Sequence, residues 1–281
     1  MTDPWAWLQA DDEDPELDLD AHPVSAVVLA PVADALRPLL DEQSVPLAEI
    51  VIADTLAEGA GKATGEWLWL FPRVVRPHPD ALRALLRTAT ESDRVGLAGP
   101  LMLQSQRRAR VDLIESCGLT VTPAGRVIPA VEGGEPDQGQ LDTMAVLGVD
   151  LSAALIRRDT WDDVGGVVAD LPDALTGVEL GRRVNGAGLR VLAEPSARVT
   201  RTRPEQPDAV QERAWELRLA ASGRSIWTRL RLFVGSLLGA LGFLLGKDAA
   251  RAGAELRALA AWLGDSAAAA VLRDRGVPAG A

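Results

Sequence analysis

Short apolar runs separated by polar turns dominate the N-terminal two thirds of the chain. Three of these runs are five to seven residues long and rich in β-branched or aromatic residues: Val24–Ala30, Glu49–Asp54 and Trp67–Phe71. Runs of this length and composition predict buried strands. Leucines at helical spacing lie between the first two runs, in Ala33–Gln43, where Pro38 confines or kinks the helix. The strand–helix–strand order predicts a parallel pair of strands with a crossover connection, and therefore an α/β fold.

The third run belongs to the segment Gly65–Asp80, which reads GEWLWLFPRVVRPHPD. Pro72 ends the apolar run, and an amphipathic helix is predicted over Asp80–Thr90. In α/β sheets, ligands bind just beyond the carboxyl ends of the strands. We therefore expect binding chemistry in the residues that follow Phe71, of which Arg73 is the first charged one.

Turn-forming residues divide the middle of the chain. The segment Thr55–Glu66 contains the Gly-Ala-Gly-Lys sequence of a phosphate loop, but Leu56 and Ala63 stand where such a loop needs a glycine and a hydroxyl. We interpret this segment as a flexible turn. Further along, Arg94–Leu103 predicts a strand that ends at a Gly-Pro turn, and Ala145–Ile156 predicts extended, apolar structure.

The pattern becomes helical after Pro204. An uncharged stretch, Leu232–Gly246, is 15 residues long, which is shorter than the ~20 residues of a membrane-spanning helix. We predict a helical hairpin in which Asp248–Leu263 is the amphipathic second helix. Glycines at positions 235, 239, 242 and 246 would let another helix approach the apolar one closely.

The pattern leaves open what covers this apolar helix. Arg224, Arg229 and Arg231 precede it and Lys247 follows it. Basic residues beside an apolar helix are typical of shallow insertion into a cytoplasmic membrane face, here through residues 224–263. A buried helix that closes the domain, or a dimer interface, fits the same pattern.

Composition narrows the functional classes. The net charge of −11 gives no electrostatic support for a nucleic-acid partner. Cys117 is the sole cysteine, which excludes an internal disulfide and favours a reducing compartment. Residues 1–22 are strongly acidic, which predicts a disordered, solvated tail rather than a secretory signal. We therefore expect a cytoplasmic protein.

Several motifs resemble a known enzyme family. The sequence ATGEWLWLF, followed by PHPDALRALL, GEPDQGQLD at Gly134–Asp142 and the run Leu155–Gly166, is similar to family 2 glycosyltransferases of actinobacterial type. The resemblance covers about Val24 to Arg203. It implies a GT-A-like (Rossmann-like) α/β fold: a mixed, mostly parallel sheet flanked by helices, here with a C-terminal helical hairpin. It also implies three regions, an acidic tail at 1–22, a glycosyltransferase-like domain at 23–203 and a helical segment at 204–281.

The resemblance implies which residues would contact a sugar substrate. Asp54 matches an aspartate that touches the nucleotide in family members. Asp137, Gln138 and Gln140 belong to the GEPDQGQLD motif, and we take all four as candidate substrate-binding residues. The implied ligand is a nucleotide-sugar or a lipid-linked glycan.

The chain departs from the family at the metal site. Family members place aspartates after a strand like Trp67–Phe71, and these hold the Mg²⁺ or Mn²⁺ that neutralises the diphosphate of the sugar donor. Arg73 and Val74 stand at those positions here, so we expect no metal site and no metal cofactor. The guanidinium of Arg73 could bind a diphosphate directly, which makes Arg73 a further substrate-binding candidate. The alternative is an exposed arginine paired with a neighbouring acid.

The chain also departs from the family at the catalytic base, an aspartate that takes a proton from the acceptor hydroxyl. Thr176 and Gly177 replace the paired aspartates of that motif, and Glu179 stands at its last acidic position. Glu179 is therefore the one catalytic candidate. A Glu that only complements the dipole of its helix is the competing interpretation.

Two functions follow from these observations. The first is a degenerate, glycosyltransferase-like scaffold of cell-envelope glycan metabolism, which binds a partner glycosyltransferase, a lipid-linked glycan or the inner face of the plasma membrane. The alternative is an active, metal-independent enzyme of hexosyltransferase type that moves a sugar from a nucleotide- or lipid-linked donor to an envelope acceptor. The missing aspartates favour the first.

Overall fold

The computed structural model describes residues 21–106, 111–168, 171–202 and 208–264. The strands are β1 (Val24–Leu29), β2 (Glu49–Ala53), β3 (Trp67–Phe71), β4 (Val75–Pro77), β5 (Val95–Gln106), β6 (Val111–Cys117), β7 (Leu119–Val121), β8 (Val127–Pro129), β9 (Met144–Ala145), β10 (Ala154–Arg157) and β11 (Arg190–Arg201). The helices are α1 (Ala33–Asp41), α2 (Leu56–Lys62), α3 (Ala81–Thr90), α4 (Arg158–Val164), α5 (Asp173–Gly186), α6 (Ala209–Ala221), α7 (Ile226–Leu245) and α8 (Ala249–Gly264). Nearly all of the predicted acidic tail lies outside the described residues.

A nine-stranded mixed sheet forms the centre of the fold. Its order is β2–β1–β3–β10–β5–β11–β4, with β6 beside β5 and β9 beside β11. β1 is parallel to β2 and β3, and β11 is parallel to β5. β10 runs antiparallel between β3 and β5, so β1, β2, β3, β5 and β11 all point the same way. The predicted fold class, a mixed α/β sheet flanked by helices with a C-terminal hairpin, is confirmed.

Strand β3 is the buried centre of this sheet. Every side chain from Trp67 to Phe71 is at most 1% exposed. Because side chains alternate across a strand, Trp67, Trp69 and Phe71 join the core layer under α1 and α3, whereas Leu68 and Leu70 join the layer under α2, α4 and α5. The indole N–H of Trp69 donates to the carbonyl of Ala153, 2.9 Å away, so this buried polar group is satisfied.

The segment after β2 is a helix, and its prediction as a flexible turn is wrong. Thr55 caps α2: its hydroxyl accepts from the N–H of Glu58 at 3.1 Å, and the Glu58 carboxylate accepts from the N–H of Asp54 at 3.1 Å. This arrangement is a variant of the capping box, in which the Glu accepts from the residue before the N-cap, and the sequence Thr-x-x-Glu indicates it. The glycines of this segment suggested a turn, but a side chain at Gly59 would overlap Val27. Gly59 therefore allows α2 to pack closely on β1.

The predicted turn at Gly99 and Pro100 is also wrong, because β5 continues through both residues. A side chain at Gly99 would overlap Val149, so the glycine permits close packing instead of a bend. Pro100 lies where β5 exchanges one neighbour for another: Ala98 pairs with β10, and Leu101 pairs with β6. At such a change of neighbours a residue without an N–H is tolerated.

The predicted C-terminal hairpin is present as α7 and α8, but its glycines are not at the helix contact. A Cβ built on Gly235, Gly239 or Gly242 would meet no atom within 4 Å. The buried residues of α7 are instead Leu232, Ser236 and Ala240, one turn apart from each other. The contact with α8 therefore does not use these glycines, and close approach of another helix at them stays a prediction.

A buried ion cluster fastens this hairpin to the rest of the protein. The Glu255 carboxylate on α8 pairs with Arg213 of α6 at 2.9 Å and with Arg126, beside β8, at 2.5 Å. Arg213 also pairs with Glu216 at 2.9 Å and donates to the carbonyls of Gly125 and Ala124. Three separate chain segments, namely α6, α8 and the loop before β8, are thus joined by charge-assisted bonds in which Arg213, Glu216 and Glu255 are buried.

Replacing Glu255 with Ala should lower the free energy of unfolding by about 3 kcal/mol, because it leaves Arg213 buried without its main counter-charge. Urea denaturation followed by circular dichroism measures this change. The control is Arg251→Ala on the same helix, which breaks an exposed pair with Asp248 and should cost less than about 1 kcal/mol. Equal losses for the two variants would contradict the assignment of the cluster as a structural fastening.

Candidate functional site

The carboxyl ends of the parallel strands bring two arginines together. Arg73 follows β3, and Arg201 is the last residue of β11. The strand β4 begins two residues after Arg73, and its Val75 pairs with Arg201, so both arginines lie at one corner of the sheet. The hydroxyl of Thr202 donates to the carbonyl of Val74 at 2.9 Å and holds this corner closed.

Two carboxylates neutralise this corner. The Nε of Arg201 donates to both oxygens of Glu115 at 2.8 Å, and its terminal nitrogen lies 2.5 Å from Asp150. Arg201 is buried, with 8% of its side chain exposed. Arg73 lies close enough to Asp150 for its charge to act on that carboxyl. An alternating arrangement of cations and anions therefore occupies the end of the sheet.

The electrostatics of Asp150 follow from this arrangement. Burial alone raises the pKa of its carboxyl. The charge of Arg201, the backbone N–H of Ser152, which donates at 2.8 Å, and the charge of Arg73 all act the other way. Their sum holds the pKa of Asp150 below its ordinary value.

This corner does not fit a divalent cation. Mg²⁺ and Mn²⁺ need several carboxylate or carbonyl oxygens that point at one place. Glu115 and Asp150 are both held by Arg201, and the ligand positions of the resembled family carry Arg73 and Val74. Within the described ranges, no group of three or more His, Cys, Asp or Glu residues could hold a metal ion.

The candidate residues of the GEPDQGQLD motif lie in a loop before β9. Asp137 accepts from the Nε of Arg198 at 2.6 Å and from the N–H of Gly139 at 3.1 Å, so its carboxylate holds the loop to β11. The amide of Gln140 donates to the carbonyl of Pro136 at 3.0 Å and its oxygen accepts from the N–H of Gln138. Gln138 is exposed, as is Asp54 at the end of β2. Binding roles for these four residues stay predictions.

Glu179 is enclosed in the fold. Its side chain is fully buried, and both carboxylate oxygens accept from Arg183, one helical turn later, at 2.7 and 2.5 Å. Arg183 also donates to the carbonyls of Val164 and Gly166, which ties α5 to the end of α4. Since α5 begins at Asp173, Glu179 lies in the second turn and not at the helix end. This geometry favours a structural role over proton transfer.

The neighbouring Gly177 leaves no room for a side chain. A Cβ at this position would overlap the carbonyl oxygen of Val149, and a Cβ at Gly181 would overlap that of Leu147. Helix α5 therefore lies directly on the backbone of residues 147–149. An aspartate at position 177, as the resembled family has, would require the helix to move away.

A concave site elsewhere was not predicted from the sequence. It has a volume of about 310 Å³ and lies between the β7–β8 hairpin and helices α5, α6 and α7. Its charged lining residues are Arg182, Glu216, Arg224 and Arg231. Arg182, Glu216 and Arg231 come from three different helices and Arg224 from the turn between α6 and α7, so only the spacing of Arg224 and Arg231 around the start of α7 was visible in the sequence.

Comparisons with known proteins give structural likenesses only. No protein-family model matches the sequence, and no curated protein matches it. The chain is similar to the mannosyltransferase PcManGT from Pyrobaculum calidifontis in complex with GDP-Man and Mn²⁺, with 14% identity, a TM-score of 0.48, and coverage of 87% of this chain and 88% of that one. Two further likenesses, each with 10% identity and a TM-score of 0.45, are GalNAc-T7 with UDP, GalNAc and Mn²⁺, covering 72% and 48% of the two chains, and S. aureus TarS 1-349 with UDP-GlcNAc, covering 76% and 66%. Values this low carry no information about activity or ligands.

Replacing Asp150 with Asn should destabilise the protein by about 3 kcal/mol at pH 7, because the two arginines lose an anion that they share. The pKa of this Asp is lowered in the folded protein, so its ionisation contributes stability that is fully present above the ordinary value of about 3.9. That contribution is lost as the pH falls through the lowered pKa of the folded state. Urea denaturation at pH 7, 5 and 3.5 should therefore show the same gap between the two proteins at pH 7 and 5, and a gap smaller by less than about 1 kcal/mol at pH 3.5, where the carboxyl of the unfolded chain has begun to take up protons. A gap that stays constant down to pH 3.5 would contradict it, and Asp54→Asn, at an exposed site, is the control.

Proposed function

We propose that this protein is a family 2-like, GT-A-type glycosyltransferase relative in which metal-dependent sugar transfer is lost and a binding role in cell-envelope glycan metabolism is kept. The observation that carries the proposal is the corner at Arg73, where cationic side chains and their own counter-ions stand in place of a metal site. The sequence motifs support the lineage, and the order of the sheet agrees with the fold that those motifs imply.

The energetics at the sugar donor's diphosphate support the loss of transfer. A divalent cation neutralises the charge that develops on the leaving diphosphate, and removal of one such stabilising group typically raises the barrier by about 3 kcal/mol. Here the aspartates that would hold the cation are replaced, and the carboxylates near them are already neutralised by Arg201.

The surroundings of the catalytic base point in the same direction. Deprotonation of an acceptor hydroxyl needs a carboxylate within hydrogen-bond reach of that hydroxyl. Gly177 cannot be replaced by an aspartate in this packing, and Glu179 is fully buried against Arg183. Two independent parts of the chemistry are thus altered.

Binding of a sugar donor without a metal is the second candidate function. Arg73 and Arg201 place two guanidinium groups at the carboxyl ends of the strands, and guanidinium groups bind phosphate oxygens with paired hydrogen bonds. The resemblance of the sequence motifs to family 2 glycosyltransferases makes nucleotide-diphosphate sugars the ligands to test. In this second candidate function, Asp54 and Gln138 would supply exposed polar groups beside the nucleotide.

The exposed face of α7 favours a membrane surface as one partner. Of the described helices, α7 alone is long and apolar enough to cross a membrane, yet only 17% of its apolar window is buried, whereas a core helix would be mostly buried. Leu238 and Leu245 are 63% and 78% exposed. Together with the flanking arginines, this face suits shallow insertion into the anionic inner leaflet of the plasma membrane, where a lipid-linked glycan or a partner glycosyltransferase would be met.

Thermal unfolding with GDP- and UDP-sugars, with and without Mn²⁺, tests the loss of the metal-dependent site. We expect no Mn²⁺-dependent increase in Tm, because the part of the chain that the structure describes holds no carboxylate cluster for the ion. A shift that is the same with and without Mn²⁺, and that Arg73→Ala abolishes while the exposed control Arg76→Ala keeps it, would establish the second candidate. A shift that requires Mn²⁺, or sugar transfer that requires it, would overturn the proposal.

Flotation of the protein with phosphatidylcholine–phosphatidylglycerol vesicles tests the membrane partner. Replacing Leu238 with Asp should lower the bound fraction at least tenfold, because a charge would enter the apolar layer. Ile52→Asp is the matched control, since Ile52 is 45% exposed on β2 and lies outside α7. If α7 instead mediates a dimer, light scattering will show two copies for the wild type and one for Leu238→Asp, and neither protein will float.

A further inference from the structure

The cavity of about 310 Å³ has the composition of an anion site. Three arginines, Arg182, Arg224 and Arg231, line it together with the hydroxyl-bearing Thr228, and Glu216 is the acid among its lining residues. Leu219 contributes to an apolar floor. A volume of this size holds a small ligand or a headgroup and not an extended chain.

The acid of the cavity is already bound to other groups. One oxygen of Glu216 accepts from the backbone N–H of Val127 at 2.8 Å, and the other accepts from Arg213, which does not line the cavity, at 2.9 Å. Burial raises the pKa of Glu216 despite these bonds. Three arginines and one acid thus line the cavity, and the hydrogen bonds of that acid go to groups other than these arginines.

Arg182 is the buried arginine of this cavity. Its side chain is buried, and it donates to the carbonyl of Leu219 at 2.6 Å, a neutral acceptor. Burial and the neighbouring charge of Arg224 both lower the pKa of Arg182. An anion placed between the two guanidinium groups would relieve this repulsion and would gain charge-assisted hydrogen bonds from each of them.

The position of the cavity favours a lipid headgroup as the source of such an anion. Thr228 and Arg231 belong to the first two turns of α7, where Ile226, Trp227 and Leu230 are exposed. Exposed Trp beside Arg is typical of protein surfaces that lie at the level of lipid headgroups. The cavity thus adjoins the apolar face that continues along α7.

We propose that this cavity binds the phosphate of an anionic phospholipid headgroup, held between Arg182, Arg224 and Arg231 while α7 lies in the same leaflet. The inference rests on the membrane association proposed above and names its ligand. Arg229 serves as the control for general attraction to a charged surface. It is an exposed arginine two positions from Arg231, and it does not line the cavity.

Flotation of the full chain with phosphatidylcholine vesicles, with and without 30% phosphatidylglycerol, provides the test, comparing Arg231→Gln and Arg224→Gln with Arg229→Gln. General surface attraction is worth about fivefold in partitioning for each arginine, and we expect a loss of that size or less for Arg229→Gln. For the two cavity variants we expect a loss of tenfold or more on the anionic vesicles alone. A second arm measures Tm with soluble glycerol 3-phosphate, whose shift Arg231→Gln should remove and Arg229→Gln should keep.

The outcomes separate the possibilities. Equal losses in all three variants would overturn the cavity as the site while leaving membrane association intact. A wild-type protein that floats with neither vesicle would remove the membrane association and this inference together. Stabilisation by inorganic phosphate at the same concentrations as glycerol 3-phosphate, without excess loss of vesicle binding in the cavity variants, would show a site for free phosphate and would overturn the lipid assignment.

Discussion

The two-sided burial of β3 is the constraint on which the rest of the structure depends. Each side chain from Trp67 to Phe71 enters one of two core layers, so no residue of the strand can carry a charge without a cost of several kcal/mol. Polar chemistry at the centre of the sheet is thereby confined to the residues after Phe71. The pairing of β4 with β11 places the residues after Phe71 beside the end of β11. The side chains of Arg73 and Arg201 therefore determine what that corner can bind.

Opposite charges at that corner satisfy each other, which explains how the sheet can end there without a bound ion. A guanidinium group is fixed, planar and always charged, and Arg201 uses it to hold Glu115 and Asp150 at once. A divalent cation would have to displace Arg201 from both carboxylates before it could be bound by them. The altered ligand positions and the altered base share one feature: charged side chains beside them already form ion pairs, Arg201 with Glu115 and Asp150, and Glu179 with Arg183.

The sequence predicted elements whose evidence is local and missed features that depend on distant contacts. The buried strands and α3 follow from short apolar runs and leucine spacing. The capping signal at Thr55 and Glu58 was also present in the sequence, but the glycines of the segment suggested a turn instead of a helix. Nothing local could show that Gly99 and Gly177 both lie on Val149. Gly99 faces the side chain of Val149 and Gly177 faces its carbonyl oxygen, and both glycines are far from Val149 in the sequence. The Glu179–Arg183 pair was visible as a spacing of four residues, but its complete burial was not.

The C-terminal hairpin combines a polar attachment with an apolar outer face, and this combination bears on how a membrane surface would be recognised. Helices held only by apolar contacts could exchange those contacts for lipid, since lipid tails are as apolar as leucine. The buried bonds of Glu255 to Arg126 and Arg213 cannot be exchanged in that way, because lipid tails offer no counter-charge. The hairpin should therefore stay on the domain when α7 meets a bilayer. That rigidity keeps Arg182 of α5 and Arg231 of α7 at the two sides of one cavity, so a headgroup would meet a site that is already formed, at a lower entropic cost than a flexible basic segment would incur.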